Sequence, residues 1–392
     1  MNQQHNHPKY LCAKHQRLGY RIAMKSIHID RNRRLRDDPG TGHNRWHPDI
    51  EPLLEVAPGE DLLLETRDAA DGQVKPHMVF EDLARNDKKA GHPLTGPIFV
   101  KGAKPGDILE VEFVDLTPQN YGWTVIRPGA GFLREIFDAK FLAHWHVDQG
   151  FARSAQIPGV KIPEGIFMGT AGVAPSHDQL RLWNDRETDL VRRGGIALLP
   201  DALDAVPTRE PIASTGLRTM PPRENGGNAD IRQLTRGSRL QLPVGVDGAL
   251  FSLGDAHYAQ GDSECCITAI EMGATAVVRF RLLAGEATRR KTRFPRFSHP
   301  GYFAAPQWAA PHNFIATTGL PIRDDGTQEC EDLTLAARNA LLEMIELLGE
   351  RGFSREQAYV ICSLAVDLRI SNAVDLPNVC VSAILPEAIF EV

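Results

Sequence analysis

Short apolar runs joined by Pro-Gly turns dominate the first third of the chain and most constrain its fold. IEPLLEVAPGEDLLLETRDA (50–69) places two such runs around Pro58-Gly59, and GPIFVKGAKPGDILEVEFVDL (96–116) repeats the design around Pro105-Gly106. Apolar or alternating runs on either side of a turn signal predict two strands and a turn, so we expect a hairpin in each segment. The likeness of the two turns reflects shared turn chemistry and does not establish an internal repeat.

The rest of the chain extends this pattern to about residue 285. Residues 120–180 are rich in Gly, Pro and aromatic residues and predict short strands and loops, while 200–230 predict a long loop system of the kind that often carries function. Helical spacing appears at 332–352 and 354–370, and 378–386 predict a final strand. The strands do not alternate with helices, which argues against a doubly wound fold, and a β-dominated α+β fold is expected.

Composition limits the classes of function. The 392 residues suffice for two or three domains, and a net charge of -6 argues against a general nucleic-acid surface. The basic stretch RNRRLR (31–36) is followed at once by Asp37 and Asp38. No apolar run approaches the roughly 20 residues that span a bilayer, and MNQQHNHPKY lacks the core of a secretory signal. We therefore expect a cytoplasmic protein without a nucleic-acid or membrane partner.

The six cysteines give no sign of a metal or disulfide framework. They lie at positions 12, 265, 266, 330, 362 and 380 without CxxC spacing. Cys265 and Cys266 are adjacent, so on a strand they point to opposite faces. Reduced thiols packed as small hydrophobic side chains are expected.

The stretch LGDAHYAQGDSE (253–264) carries the strongest chemical signal, because four ionisable residues directly follow an apolar strand. Asp255 and His257 are two positions apart, as are Asp262 and Glu264, so each pair shares a face if the chain is extended. An imidazole with several carboxylates suits a zinc or mixed divalent site, or polarisation of water and protonation of a leaving group. A solvated hairpin loop with exposed charges is the alternative.

Three further segments offer candidate residues. HNRWH (43–47) presents His43 before a strand, although a solvated or capping histidine is the simpler interpretation. TRDA (66–69) ends a predicted strand with Asp68, and PPRENGGNADIRQL (221–234) presents Glu224 and Asn228 around paired glycines, or else forms an ordered turn. No G-x-S-x-G, β-lactamase-type S-x-x-K or post-strand G-x-G-x-x-G is present, which argues against serine hydrolysis and nicotinamide binding.

Taken in order, these segments resemble the acetamidase/formamidase family. The resemblance rests on HNRW, TRDA, LTGPIFVKGAKPGDILEVEFVDL, ENGGNADI, LPVGVDGALFSLGDAHYAQGDSE and SLAVDLRISNAVDLPN, and covers about residues 10–390. The length and ENGGN are similar to the longer, formamidase-like branch, which includes enzymes that act on bicyclic γ-lactams. The resemblance implies hydrolysis of a small amide to a carboxylate and ammonia or amine.

The resemblance also implies an architecture. It predicts a β-sandwich catalytic core over 1–110 with 225–285, a smaller β-barrel-like lobe over 111–224 and a C-terminal α+β lobe over 286–392. A homodimer or higher homo-oligomer is expected. A divalent metal, zinc or else calcium, is the cofactor that it implies.

The chemistry of amide hydrolysis, taken together with the resemblance, suggests roles for the candidate residues. Asp68, Asp255 and His257 are expected to bind the metal, and Glu264, His257 and Asp262 to be catalytic, with Glu264 as the general acid/base. Substrate binding is expected of Glu224, Asn228 and His43. Asn225 stands where many shorter relatives carry histidine, so a metal ligand is lost here if that histidine is one.

Two alternatives remain open. The first is a metal-independent amidase that uses Glu264 or Cys266 as its nucleophile. The second is a non-catalytic β-sandwich protein that binds metal or carbohydrate, although aromatic residues make up only 7% of the chain, few for a sugar platform.

Overall fold

The computed structural model describes residues 24–302 and 313–391, so Cys12 lies outside the described residues. The strands are β1 Lys25–Ile27, β2 Gly42–His43, β3 Arg45–Trp46, β4 Leu54–Val56, β5 Asp61–Glu65, β6 Leu94–Val100, β7 Ile108–Pro118, β8 Tyr121–Ile126, β9 Phe141–Asp148, β10 Phe151–Ser154, β11 Ile157–Pro163, β12 Phe167–Gly172, β13 Leu217–Arg218, β14 Gly226–Asn228, β15 Arg239–Pro243, β16 Phe251–His257, β17 Glu271–Met272, β18 Ala274–Leu283, β19 Arg296–Ser298, β20 Phe314–Gly319, β21 Asp367–Asn372 and β22 Cys380–Pro386. The α-helices are α1 His177–Arg192, α2 Ile212–Thr215, α3 Glu286–Arg290, α4 Leu333–Glu350 and α5 Arg355–Ala365.

Two large sheets pack face to face and form a β-sandwich. One has the order β1-β5-β18-β7-β15-β19, and the other runs β11-β10-β9-β8-β17-β16-β12-β14, with β6 pairing β16, β2 and β4. Phe251 of the second sheet meets Phe280 of the first edge to face, with ring centroids 5.1 Å apart. The predicted β-dominated α+β fold is therefore confirmed, and across 24–302 and 313–391 the sheets do not close into a barrel.

The Pro-Gly turns connect the two sheets, so the predicted hairpin pairing is wrong although the predicted strands form. β4 pairs with β6 in one sheet, whereas β5, directly after Pro58-Gly59, pairs with β1 and β18 in the other. β6 and β7 are separated in the same way across Pro105-Gly106. Both glycines have left-handed φ angles, 89° and 93°, which favour glycine. Periodicity identifies a strand but does not identify its partner.

The middle segment shares the large sheet with the strands of the predicted core. β8 pairs with β17, and β12 pairs with both β16 and β14. One hydrophobic core runs through these strands and the C-terminal helices. The domain boundaries at 110, 224 and 285 stay a prediction.

Helix α1 lies in a region for which the sequence predicted no helix. Ser176 caps it, with its Oγ accepting from the Gln179 amide, and Gln179 bonds back to the Ser176 amide. Only Leu180 and Trp183 of this helix are buried, against Trp46. So short an apolar stripe in a charged segment gives little periodicity, and the capping box was the available signal.

The C-terminal part joins two helices to a three-stranded sheet of order β20-β22-β21. Helix α4 and the final strand β22 confirm the predictions for 332–352 and 378–386. The helix predicted over 354–370 instead ends at Ala365, and the chain continues as β21, whose Asp367 pairs with Arg232. None of the helices in the described ranges combines the length and apolarity that crossing a membrane requires.

Candidate active site

Strand β16 ends in a buried Asp-x-His pair. Asp255 and His257 are each only 1% exposed, and His257 Nε2 lies 3.5 Å from Asp255 Oδ1. Asp255 has a left-handed φ of 56°, and the preceding Gly254 leaves no room for a side chain, because a Cβ would lie 2.5 Å from the Pro93 carbonyl oxygen. The pair predicted from the sequence is therefore brought together inside the protein, where a solvated hairpin loop is ruled out.

Neighbouring strands and loops complete a cluster of two histidines and four carboxylates. Glu271 of β17 is paired in register with His257, and its Oε2 lies 3.3 Å from His257 Nε2. His92 Nδ1 lies 3.0 Å from Asp255 Oδ2, and Glu264 Oε1 lies 3.9 Å from His257 Nε2. Asp230 reaches the other side of the imidazole, with its Oδ1 4.0 Å from Nδ1.

A glutamine fixes the orientation of His257. Gln260 Nε2 donates to the Asp230 carbonyl at 3.0 Å, so the amide oxygen of Gln260 is the atom that faces His257. His257 Nδ1 therefore donates to Gln260 Oε1, at 2.9 Å. Nε2 is therefore the nitrogen that faces Asp255, Glu264 and Glu271. An unprotonated Nε2 would present a lone pair to these carboxylates, so this position requires a proton or a metal cation.

The space around the imidazole is tightly closed. A Cβ on Gly169 of β12 would lie 2.5 Å from Asp230 Oδ1 and 2.9 Å from His257 Cε1. Phe167 meets the same ring edge to face at 5.1 Å. Asp255 Oδ1, Glu271 Oε2 and Asp230 Oδ1 are buried and have no hydrogen-bond partner within the described chain. Unpartnered buried carboxylate oxygens are costly, which indicates a missing cation or proton.

Burial and the charges of neighbouring residues shift the pKa values of the cluster away from their usual values. Burial, together with the Asp255 charge, raises the pKa of Asp230 to about 7, and burial with the Asp230 charge raises the pKa of Glu264 well above its usual value. Burial would lower the pKa of His92, but the Asp255 carboxylate, with the Glu271 and Asp230 charges, outweighs burial and raises that pKa to about 9. Strongly perturbed groups that share a cleft are typical of catalytic sites.

A cavity of about 180 Å³ opens onto the cluster. Trp123 and Val125 of β8 and Arg127, directly after it, line the cavity, and Trp123 is paired in register with Glu271. Trp123 Nε1 donates to Asp68 Oδ2 at 3.3 Å, which fixes the indole. His92, Asn228, Asp255, Glu264 and Glu271 also line the cavity, so a small ligand would contact the cluster directly.

The structure does not bring Asp68 or Asp262 to His257. Asp68 Oδ1 accepts from the amides of Ala70 and Gly72, so its carboxylate closes a loop beside the cavity. The Asp262 carboxylate accepts from Gln233 Nε2 at 2.9 and 3.0 Å, turned towards the surface. In both cases nearby donors satisfy the carboxylate, so neither is positioned as a metal ligand or catalytic group.

Two of the three predicted substrate-binding residues also lie away from the cavity lining. Glu224 forms a two-pronged ion pair with Arg186 of α1, with one N–O distance of 2.7 Å. His43 is buried between the Arg45 carbonyl and the Ser252 hydroxyl, each 2.7 Å away. Asn228 does line the cavity, and it accepts from His92 Nδ1 at 3.1 Å.

The alternative cysteine nucleophile is held in the core. Cys266 Sγ contacts the carbonyl oxygens of Val125 and Thr268 at 3.8 and 3.5 Å. Burial raises the pKa of this thiol, which disfavours the reactive thiolate. Cys265 and Cys362 are likewise buried and free of disulfides, as expected of small hydrophobic side chains.

Sequence reasoning missed His92, Asp230 and Glu271 as members of the cluster. Glu271 had a usable signal, since it is the lone acid in the apolar run ITAIEM. Asp230 had a weaker signal, since it follows the paired glycines of ENGGNAD. His92 had none, because it enters from a loop and reaches Asp255 only through the fold.

Two sets of three side chains can present ligand atoms within 4.8 Å of one another, namely Asp230–Asp255–His257 and His257–Glu264–Glu271. Both contain His257. A nitrogen ligand with carboxylates suits zinc better than calcium, which prefers six to eight oxygens.

Comparison with known proteins identifies the family. A family model described as the Acetamidase/Formamidase family matches residues 28–392. The acetamidase of Mycolicibacterium smegmatis is 36% identical over 360 residues, covering 85% of this chain and 87% of that protein. The formamidase of Methylophilus methylotrophus is 33% identical over 388 residues, covering 94% of each. The structure of a gamma lactamase from Delftia acidovorans has a TM-score of 0.88 at 36% identity, covering 94% of each chain. The chain therefore belongs to the acetamidase/formamidase family and is an amidohydrolase.

Proposed function

We propose that this amidohydrolase cleaves the C–N bond of a small amide, linear like formamide and acetamide or a cyclic γ-lactam, with water activated by a zinc ion at His257. An amide is a poor electrophile, so its hydrolysis needs an activated nucleophile, a polarised carbonyl and a proton for the departing nitrogen. The names of the relatives support the substrate class, and the cluster supports the chemistry.

The observation that best supports this proposal is that two carboxylate oxygens without hydrogen-bond partners lie close to the same imidazole nitrogen, His257 Nε2. Asp255 Oδ1 and Glu271 Oε2 are both buried without a hydrogen-bond donor, and they lie 3.5 and 3.3 Å from His257 Nε2. Zinc bonds of about 2.1 Å at a tetrahedral angle separate neighbouring ligand atoms by roughly 3.4 Å. Each of the two oxygens therefore lies at the distance from His257 Nε2 that a shared zinc ion would give, with Gln260 orienting the imidazole from behind.

Different residues then bind the metal, transfer the proton and orient the substrate. A zinc ion held by these ligands would lower the pKa of water to about 7 and polarise the amide carbonyl. Of the three carboxylates that face Nε2, Glu264 is the furthest away, and it lines the cavity, so it is free to move a proton. Burial and the Asp230 charge raise its pKa, which favours a carboxyl that protonates the departing nitrogen. Asn228 has a second amide N–H beyond the one donated to Asp230, and it orients the substrate.

Ammonia release and metal content together test the proposal. The purified protein is assayed for ammonia release from formamide, acetamide and propionamide, and for the ring-opened amino acid from a γ-lactam, and its zinc is measured by elemental analysis. We expect turnover of at least one amide, about one zinc per chain, loss of both on chelation and recovery with added zinc. His257→Gln should remove zinc from the folded protein, which is a readout independent of turnover.

Substitutions of two neighbouring acidic residues test whether Glu264 transfers the proton. Glu264→Gln should lower kcat by about 10²- to 10⁴-fold with zinc retained. Asp262→Asn is the matched control, since its carboxylate faces Gln233 and Arg232, and its rate should stay near wild type. Full activity after exhaustive removal of metal would refute the metal mechanism and return Glu264 as a direct nucleophile. Near wild-type activity of Glu264→Gln would refute its role.

A further inference from the structure

The substrate cavity contains a cationic side chain that the hydrolysis of a neutral amide does not need. Arg127 follows directly after β8 and is half-buried in the cavity wall. Within the described chain its guanidinium forms no ion pair or hydrogen bond; the only charge that acts on it appreciably is that of Glu271. By contrast, the other buried arginines near the site are engaged: Arg223 with Glu187, and Arg232 with Asp367.

The position of Arg127 relative to the cluster is fixed by the register of the sheet. Trp123 lies opposite Glu271, so it marks the level of the reacting groups. Val125 follows two positions later on β8 and Arg127 directly after the strand, and both line the cavity. Four residues of extended chain span about 13 Å, and the long arginine side chain can cover part of that span. The wall therefore runs from an acidic end through an apolar middle to a guanidinium.

The size of the cavity agrees with a ligand that reaches along this wall. Its volume of about 180 Å³ is roughly six times the share of one water molecule in the liquid. Formamide or acetamide would fill only the part next to the cluster. Lys88 also lines the cavity and, like Arg127, forms no ion pair within the described residues.

We propose that Arg127 is a specificity residue that binds a carboxylate on the acyl part of the substrate, so that the preferred substrates are short ω-carboxy amides such as succinamate and glutaramate. This inference rests on the proposed amide hydrolysis. The amide group lies at the His257 cluster, the methylene groups pack on Trp123 and Val125, and the distal carboxylate receives two N–H groups of the guanidinium. Planar, two-pronged binding of a carboxylate is the geometry that arginine provides and lysine does not.

Paired substrates test the proposal on the wild-type enzyme. Succinamate is compared with isocaproamide, in which an isopropyl group replaces the carboxylate at nearly the same size. We expect kcat/KM to be about 10- to 100-fold higher for succinamate, as a charge-assisted pair provides. A preference for isocaproamide would overturn this proposal while amide hydrolysis itself stands, whereas failure to cleave any amide would overturn both.

Variants locate the source of the preference. Arg127→Met should reduce the ratio of kcat/KM for succinamate over isocaproamide about 10- to 100-fold, and Arg127→Lys should restore part of it. Arg134→Met is the matched control, because this exposed arginine pairs with Glu135 and lies outside the cavity lining, and it should leave the ratio unchanged. An equal loss for both substrates in Arg127→Met would mean that the guanidinium serves the amide itself, and the proposal would be wrong.

Inhibition of the wild type keeps the proposal testable if Arg127→Met does not fold. Succinate and isocaproate share the carboxylate that hydrolysis creates and differ only at the distal end. We expect succinate to inhibit competitively at about 10-fold or more lower concentration than isocaproate. Equal inhibition by the two acids would overturn the proposal.

Discussion

His43 provides a stability test that separates a structural histidine from a substrate-binding one. The side chain is 1% exposed, its Nδ1 donates to the Arg45 carbonyl, and its Nε2 accepts from the Ser252 hydroxyl. These bonds are made by the neutral imidazole, and a proton on Nε2 would break the second. Burial lowers the pKa of His43 to about 4, against a usual value of 6.5.

The sign and size of the effect follow from proton binding. Between pH 6.5 and pH 4 the unfolded chain protonates this histidine and the folded chain does not, so acid stabilises the unfolded state. The stability that His43 contributes is fully present above pH 6.5 and is lost as the pH falls to about 4. From pH 7 to pH 5 the loss is about 2 kcal/mol, and it approaches about 3 kcal/mol at pH 4.

Urea unfolding at pH 7 and pH 5 measures this loss. His43→Gln keeps a donor and an acceptor without a titrating ring, so its free energy of unfolding should fall about 2 kcal/mol less between the two pH values than that of the wild type. His146→Gln, at an exposed position on β9, is the control and should behave like the wild type. Equal pH dependence in His43→Gln and wild type would refute the reasoning, and a large rise in KM would instead favour substrate binding.

Three further substitutions test packing around the site and the fold. Gly169→Ala should lower the free energy of unfolding by about 1–3 kcal/mol, because its Cβ would meet fixed atoms on three sides. It should also displace His257, so that zinc content and activity fall together. Gly349→Ala, with no atom within 4 Å of the new Cβ, is the control in urea unfolding. Ser176→Ala should cost about 1 kcal/mol by removing the cap of α1, and an unchanged unfolding midpoint would contradict that cap. Asp367→Ala should cost about 1.5–3 kcal/mol, because it removes the buried carboxylate that pairs with Arg232 and leaves the more exposed Asp262 as the charged partner; a cost below about 1 kcal/mol in the same assay would contradict the strength of this pair.

The sequence predicted part of the candidate site where residues lie close together along the chain. Asp255 and His257 lie two positions apart at the end of one strand, so sequence proximity brings them together, although Asp255 itself has a left-handed φ. Glu271 and His92 reach the same place through strand pairing and a loop, and no spacing along the chain encodes those contacts. Local pattern therefore predicted half of the cluster, and strand pairing and loops supplied the rest.

The residues predicted as site groups but found elsewhere share a physical reason. Asp68 accepts from the amides of Ala70 and Gly72, and Glu224 is paired with Arg186. A carboxylate at a strand end or in a glycine-rich loop is often used by its own loop or by a nearby cation. The same limitation applies to the Pro-Gly turns, where the strands were identified correctly and their partners were not.

The order in which strands pair has a consequence for the biosynthesis of the enzyme. The cluster draws on a loop at His92, on Asp230 and on the strands that end in His257 and begin at Glu271. A growing chain therefore cannot assemble the site until more than two thirds of it has left the ribosome. Until then β5 and β7 lack β18, the strand that lies between them, and expose edges prone to aggregation. Chaperone demand during synthesis should accordingly peak before residue 283, the end of β18, emerges.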